Sequence, residues 1–367
     1  MELLLRPGGR ARTACPIIIP ADGPVPTAFQ SGPNLVFVQR DGDGVAAVVN
    51  LYDPDADALL APIGAEPGPG VDLADDGSEI AVRIAGEPFT TYRYRDVPAR
   101  PFFWPVLAPG GIPVTRAWPM SEEVAGETRD HRHHRSLYFA FGEVNGADNW
   151  SEEPGHAYTI HRSVDELVSG PVFGRFVTTS DWTDSGGRRL LIQKATATFW
   201  NLRRDDARLF DVDLRLTAAD GDVLFGDTKE GGMLTVRVAT PMDVPNGGRI
   251  ENAYGGVNER ETWGCAAHWC DYSGIVQGTR VGIGVMDHPT SFRHPTYWHV
   301  RDYGLMGANP FALNAYTNGR KEGSFTLPAG AEMVFRYRVV VHLGDAGESD
   351  MRGRYLDFVS PPEGRLR

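Results

Sequence analysis

Leu209-Phe210-Asp211-Val212-Asp213-Leu214-Arg215-Leu216 alternates strictly: Asp211, Asp213 and Arg215 share one side of an extended chain, and Val212, Leu214 and Leu216 share the other. A period of two describes a half-solvated strand of an antiparallel sheet with its apolar face inward. Upstream, Lys194-Ala195-Thr196-Ala197-Thr198-Phe199-Trp200 alternates as well. Downstream, Ala218-Ala219-Asp220-Gly221-Asp222 turns the chain and Val223-Leu224-Phe225 begins its return. Further out, Leu35-Val36-Phe37-Val38 and Val45-Ala46-Ala47-Val48-Val49 flank Asp41-Gly42-Asp43-Gly44, which reads as a hairpin. Residues 79–84, 90–95, 281–286 and 333–342 read as further strands, and no run predicts a helix of more than a few turns. The expected fold is all-β, a large antiparallel β-sandwich.

Composition agrees. In 367 residues, 43 glycines and 27 prolines among many Val, Thr, Tyr, Phe and Trp favour short strands and turns over long helices. The division expected is an N-terminal arm and small β-rich segment over 1–78, a main β-sandwich carrying the site over 79–345, and a C-terminal tail over 346–367. Residues 1–33 read as an irregular arm with room for one edge strand, Ile17-Ile18-Ile19 being its one apolar island. Arg100-Pro101-Phe102-Phe103-Trp104-Pro105-Val106-Leu107, punctuated by proline, does not read as a central strand throughout.

A net charge of −12 argues against nucleic acid and anionic membranes as partners. The opening Met1-Glu2-Leu3-Leu4-Leu5-Arg6-Pro7 is too short an apolar run for a signal peptide, and no run approaches a membrane span. Cys15, Cys265 and Cys270 do not form a disulfide framework, so a reduced, cytoplasmic location is expected. Pairing with a second copy through a sheet edge is an open option. With no P-loop, dinucleotide fingerprint, nucleophile elbow or EF-hand loop, no cofactor is expected.

Chemistry is suggested by Asp130-His131-Arg132-His133-His134-Arg135, where three of ten histidines fall within four positions. Imidazoles titrate near neutrality, so such a cluster points to proton transfer or a metal, against the plainer reading of a solvated basic turn. Two more polar groups sit at strand ends: Lys229-Glu230, flanked by glycines, and His299 with Arg301. If these converge, a histidine and a carboxylate suffice for acid–base work while a lysine or arginine holds an oxyanion. If 131–135 is extended, His131 and His133 share a face, and with Glu230 or His299 they would make a three-ligand site for a divalent metal such as zinc, iron or manganese. Tryptophans in polar surroundings, Trp150 and Trp269 among them, suit the C–H faces of sugars.

The run from Arg100 to Trp150, the loop Gly226-Asp227-Thr228-Lys229-Glu230-Gly231, and Asp287-His288-Pro289 through His294-Pro295-Thr296-Tyr297-Trp298-His299-Val300-Arg301 to Asn309-Pro310-Phe311 resemble the PmoA-like family over about residues 79–343. This is a group of bacterial proteins often labelled methane oxygenase. Arg132 stands where that family usually has proline, and Ser136 where it has glycine. The resemblance implies a β-sandwich, with the galactose-mutarotase-like supersandwich as one form of it. It also implies gene neighbourhoods of sugar catabolism, and hence oxidised sugars or glycosides as substrates.

The function expected is a carbohydrate-processing enzyme acting on a sugar or keto-sugar by acid–base chemistry of lyase, epimerase or hydrolase type. His133 or His134 would be base or acid and Glu230 its counterpart. Lys229 and Arg135 would steady negative charge and His299 would orient the substrate. Arg116, His131, Asn145, Trp150, Trp269 and Arg301 complete the expected substrate contacts. The alternatives are the metal enzyme just described and a noncatalytic sugar-binding protein.

Overall fold

A computed structural model describes residues 1–367. Almost all regular structure is β, arranged in three antiparallel sheets. The alternating stretch quoted above lies in Ala207–Thr217, in the middle of an eight-stranded sheet between Arg189–Trp200 and Glu332–Leu343. Phe210, Val212, Leu214 and Leu216 enter the main core, and the opposite face carries Asp213, paired with Arg336, and Asp211, paired with Arg338.

A twelve-stranded sheet supplies the other half of that core. Its main path runs Trp298–Arg301, Leu305–Ala308, Gly231–Arg237, Leu137–Val144, Phe102–Ala108, Glu87–Arg93, Glu79–Ile84 and Val71–Asp75. Phe103 from this sheet, with Phe139 beside it, meets Phe176, Phe199 and Phe210 from the other at ring-centroid distances of 5.7–6.5 Å. Two inner faces interdigitating in this way make a sandwich. Burying such a ring stabilises by roughly 1.5–3 kcal/mol, so the Phe cluster is the main tie between the sheets.

The N-terminal residues are more regular than the arm expected of them, and the one edge strand allowed for around Ile17-Ile18-Ile19 is Arg12–Pro20. Leu3–Arg6, Arg12–Pro20 and Ala28–Ser31 are strands of a seven-stranded sheet. Arg12–Pro20 is an edge strand of that sheet, where Pro16 and Pro20 cost little because one side of the strand donates to nothing. Residues 346–367, expected as a tail, fold instead into a helix, Met351–Val359, and a strand, Glu363–Leu366, that pairs with Leu3–Arg6. The two chain ends thus share a sheet, and with Met351 and Tyr355 it packs on the outer face of the eight-stranded sheet through Ala14, Phe37, Trp200 and Val340. Phe102–Ala108 is a central strand after all, because Pro105 falls where the pairing register shifts between Phe103 and Val106 and no ladder hydrogen bond is required of it.

Candidate functional site

The site lies on the face of the twelve-stranded sheet turned away from the core. Along Leu137–Val144, Leu137, Phe139 and Phe141 point inward, whereas Tyr138 and Ala140 point outward to join Phe102, Trp150 and Leu305 in a small separate cluster. On neighbouring strands Arg237, His299 and Arg301 alternate with core residues Val236, Val238, Trp298 and Val300 and so share that outer face.

The loop that carries the histidines is held from beneath by two arginines that are almost wholly buried. Arg116 pairs with Asp130 at 2.5 Å and donates to the carbonyls of Thr128, Asp130, His131 and His134. Arg237 pairs with Asp130 at 2.9 Å and directs Nη1 at His134 Nδ1, 3.3 Å away. A guanidinium only donates, so His134 Nδ1 accepts, and burial holds this imidazole neutral, well below its ordinary pKa. Burial alone would raise the Asp130 carboxyl, but His131, Arg237 and Arg116 hold it far below the usual carboxylate range. Residues 131–134 form a turn rather than a strand, with φ 32° at His131.

Above this cage the open rim is assembled from three distant segments. His131 stacks on Tyr303, centroids 5.0 Å apart, and Tyr303 in turn lies under Arg237 and Arg301. His133 is half-buried and perpendicular to His134 at 4.4 Å. Lys229 and Glu230 pair with each other in the open. The loop bearing them is pinned by Asn309, which donates to the carbonyls of Thr228 and Lys229, and by Asp227, which accepts from the backbone of Asn314 and Gly323. Gly231 is required there, since a Cβ would sit 2.4 Å from the buried Phe141 ring, whereas a Cβ on Gly226 would meet only the movable end of the exposed Glu143 side chain. His299 gives its Nδ1 hydrogen to the Lys229 carbonyl, which leaves Nε2 as an acceptor.

Electrostatics couples the rim. Burial works to raise the Glu230 carboxyl, but the Lys229 ammonium, with His299 and His133 adding smaller pulls, brings it below its ordinary value. Burial pushes His133 down to about 4, with the Arg100 guanidinium adding to it, and burial likewise takes His299 to about 4. At neutral pH the rim therefore offers the uncharged His133 imidazole and a carboxylate as proton acceptors, with His299 neutral but almost wholly buried behind them, and an ammonium, the Arg301 guanidinium, itself paired with Glu259, and the Tyr303 phenol as donors. A hollow of about 340 Å³ opens beside Arg301, walled by Glu259, Arg260 and Trp263. A larger one, about 490 Å³, lies away from these groups beside Tyr94 and His161. Of the rim groups only Arg301 lines the first hollow, and the second is lined by Asp75, Tyr94 and His161 and by none of them.

Several expected residues are occupied elsewhere. Arg116 and Arg135 are consumed by structure, Arg135 by two bonds to the buried Glu152 carboxylate at 2.6 and 2.7 Å. Trp150 is buried with its ring against Tyr138, His133 and His134, so it offers no face to a sugar. Trp269 packs beside the core that includes Met286 and Tyr355. Asn145 closes the turn at the far end of the Leu137–Val144 strand, bonding Leu224 and Asp222. The metal alternative fails on geometry: the turn does not extend His131 and His133 along one strand face, and no three His, Cys, Asp or Glu side chains are grouped to hold an ion.

Three residues went unnoticed. Tyr303 sits in the turn after Arg301. Arg237 is a charge in an otherwise buried strand, the one signal that was available in the sequence. Asp243 has an unpartnered buried Oδ1, and burial pushes its carboxyl up to about 7 against the pull of Arg237; a Cβ on Gly304 would crowd that oxygen at 2.3 Å.

No curated protein matches the chain in sequence. Among solved structures, an alpha-galactosidase from Lactobacillus brevis is similar with a TM-score of 0.37 and 8% identity, over 82% of this chain and 43% of that one. The chain thus spans less than half the length of that enzyme. No helix is long and apolar enough to cross a membrane. The expected PmoA-like membership is corrected by the family comparison, which points to a different family and gives no sign of a PmoA-like one. Matched by its model over residues 79–355, the chain belongs to the family of unknown function DUF6807.

Proposed function

We propose that the rim is the active site of an acid–base enzyme that acts on a small carbohydrate or oxidised sugar by taking a proton from carbon next to a carbonyl. A carbonyl acidifies the neighbouring C–H, so a positioned base and a cation for the enolate oxygen carry the reaction. His133, neutral at pH 7 and half-open, is the base. Glu230 returns the proton or orients the substrate hydroxyl beside it. Lys229 and Arg301 face the developing oxyanion, and His299, buried behind them, orients the Lys229–Glu230 loop through its bond to the Lys229 carbonyl. His134, Arg116, Arg237 and Asp130 fix the loop and do not touch substrate. A polyhydroxylated ligand suits the mixture of donors and acceptors along the rim.

The observation that carries this reading is that His299 bonds the Lys229 carbonyl, which ties the Lys229–Glu230 loop to a strand 70 residues further along the chain. The test is proton exchange in D2O, followed by NMR with keto-sugars, keto-glycosides and their unoxidised parents. Wild-type protein should exchange the hydrogen next to the carbonyl of at least one keto compound. His133→Ala and Glu230→Gln should each slow that exchange by roughly 10²-fold or more. Exchange at the buffer rate with every keto compound would end the proposal, and binding without exchange would leave a sugar-binding protein in its place.

A further inference from the structure

At the end of the eight-stranded sheet, outside the rim, four side chains form one continuous hydrogen-bonded line. Asp287, on the last residue of Thr279–Asp287, is buried and its Oδ2 accepts from His294 Nδ1 at 3.0 Å and from the Thr296 backbone at 2.8 Å. His294 Nε2 lies 3.2 Å from His268 Nδ1, and His268 Nε2 lies 3.0 Å from the hydroxyl of Tyr254. His268 is clamped between the rings of His294 and Tyr355, with centroids 5.2 and 5.0 Å away and planes within 14°. No hydrogen bond or ring contact joins any of the four to His131, His133, Glu230 or His299.

The direction of every bond in the line follows from its buried end. A carboxylate accepts only, so His294 carries its hydrogen on Nδ1 and accepts at Nε2. His268 must then donate from Nδ1, and its Nε2 is left with a lone pair aimed at Tyr254. The phenol can satisfy that lone pair only by donating its own hydrogen. This is the order nucleophile, base, orienting group that activates weak nucleophiles, with a second imidazole inserted. Tyr254 itself is 63% exposed, so its oxygen is reachable from solvent.

We propose that Tyr254, His268, His294 and Asp287 form a second reactive centre, in which Tyr254 Oη is a nucleophile for electrophilic acyl groups. In the step, Tyr254 Oη bonds to the acyl carbon, the bond from that carbon to its leaving group breaks, and the phenol hydrogen passes to His268 Nε2. From there it goes to the departing group, and no oxidant or further reactant is needed.

Tyr52 provides an internal control, because it is 66% exposed and has no hydrogen-bonded imidazole. The full chain treated with N-acetylimidazole at neutral pH, and mapped by peptide mass over time, should acetylate Tyr254 roughly a hundredfold faster than Tyr52. His268→Gln should bring that ratio to about one, and Asp287→Asn should lower it by roughly tenfold or more through loss of the orienting carboxylate. Asp287 also anchors a backbone hydrogen, so if Asp287→Asn does not fold, the half-buried His268→Gln decides alone. Equal rates at Tyr254 and Tyr52 in the wild type, or a ratio unchanged in His268→Gln, would overturn the proposal.

Discussion

His133 and His134 are neighbours in the chain and opposites in surroundings. His134 is sealed beneath the loop, its Nδ1 facing the Arg237 guanidinium, while His133 stands at the mouth within reach of Glu230. Burial lowers the pKa of both imidazoles, yet only one can meet a substrate. A histidine cluster in a sequence therefore says little until its members are divided into those that hold the loop and those that face out of it. Here the holding part is a cage of Arg116, Asp130 and Arg237, and the working part is borrowed from segments about 100 and 170 residues further along.

The division is tested most severely at Asp130. Its carboxylate is the shared partner of two guanidiniums that are at most 1% exposed, so Asp130→Ala leaves both charges buried and uncompensated. The expected cost is ~3 kcal/mol, at the low end for breaking a buried pair because Asp130 itself keeps 31% exposure. Urea denaturation measures it. A cost below ~1 kcal/mol would mean that the cage is not what secures the loop.

A second effect is carried by titration. His133 and His299 both fall to about 4 in the folded protein, against about 6.5 when unfolded. A depressed folded value means that the unfolded chain binds protons first, so the stability these imidazoles contribute is complete above pH ~6.5 and is lost as pH falls toward about 4. Urea midpoints should drop steadily across that window, by a few kcal/mol in all, and His299→Gln should flatten the slope. A midpoint that holds constant from pH 7 to 5 would show that these rings are already protonated or well solvated in the folded state.

How much of this was legible follows the same split between local and distant causes. The alternation of residues 209–216 announces its strand because one face meets the Phe core and the other meets water and ion pairs, a local cause with a local signature. Pro16, Pro20 and Pro105 misled, since a single sequence does not say which strand is an edge or where the register slips. Lys229, Glu230 and His299 could be chosen from flanking glycines and strand ends. Trp150 could not be dismissed, because its polar neighbour Asp148 accepts from the Trp150 and Ser151 backbone and from the Ser151 hydroxyl in a turn whose indole points inward. Tyr303 and Asp243 carry no local mark, and Arg237 only that of a charge in an apolar strand; all three matter because separate chain segments meet around Asp130.

The smallest effect on stability belongs to the residue from which the largest effect on chemistry is expected. Glu230 and Lys229 are each 49% exposed and pair across water, and an ion pair so placed contributes at most ~1 kcal/mol. Glu230→Gln keeps the shape and most hydrogen bonds, so the urea midpoint should move by less than ~0.5 kcal/mol. The same substitution removes the carboxylate paired with Lys229 beside His299, so exchange next to a substrate carbonyl should collapse while the fold stays intact. If instead Glu230→Gln destabilised the protein as much as Asp130→Ala, the loop at 226–231 would belong to the cage, and the contrast between a holding layer and a working rim would dissolve at its most exposed member.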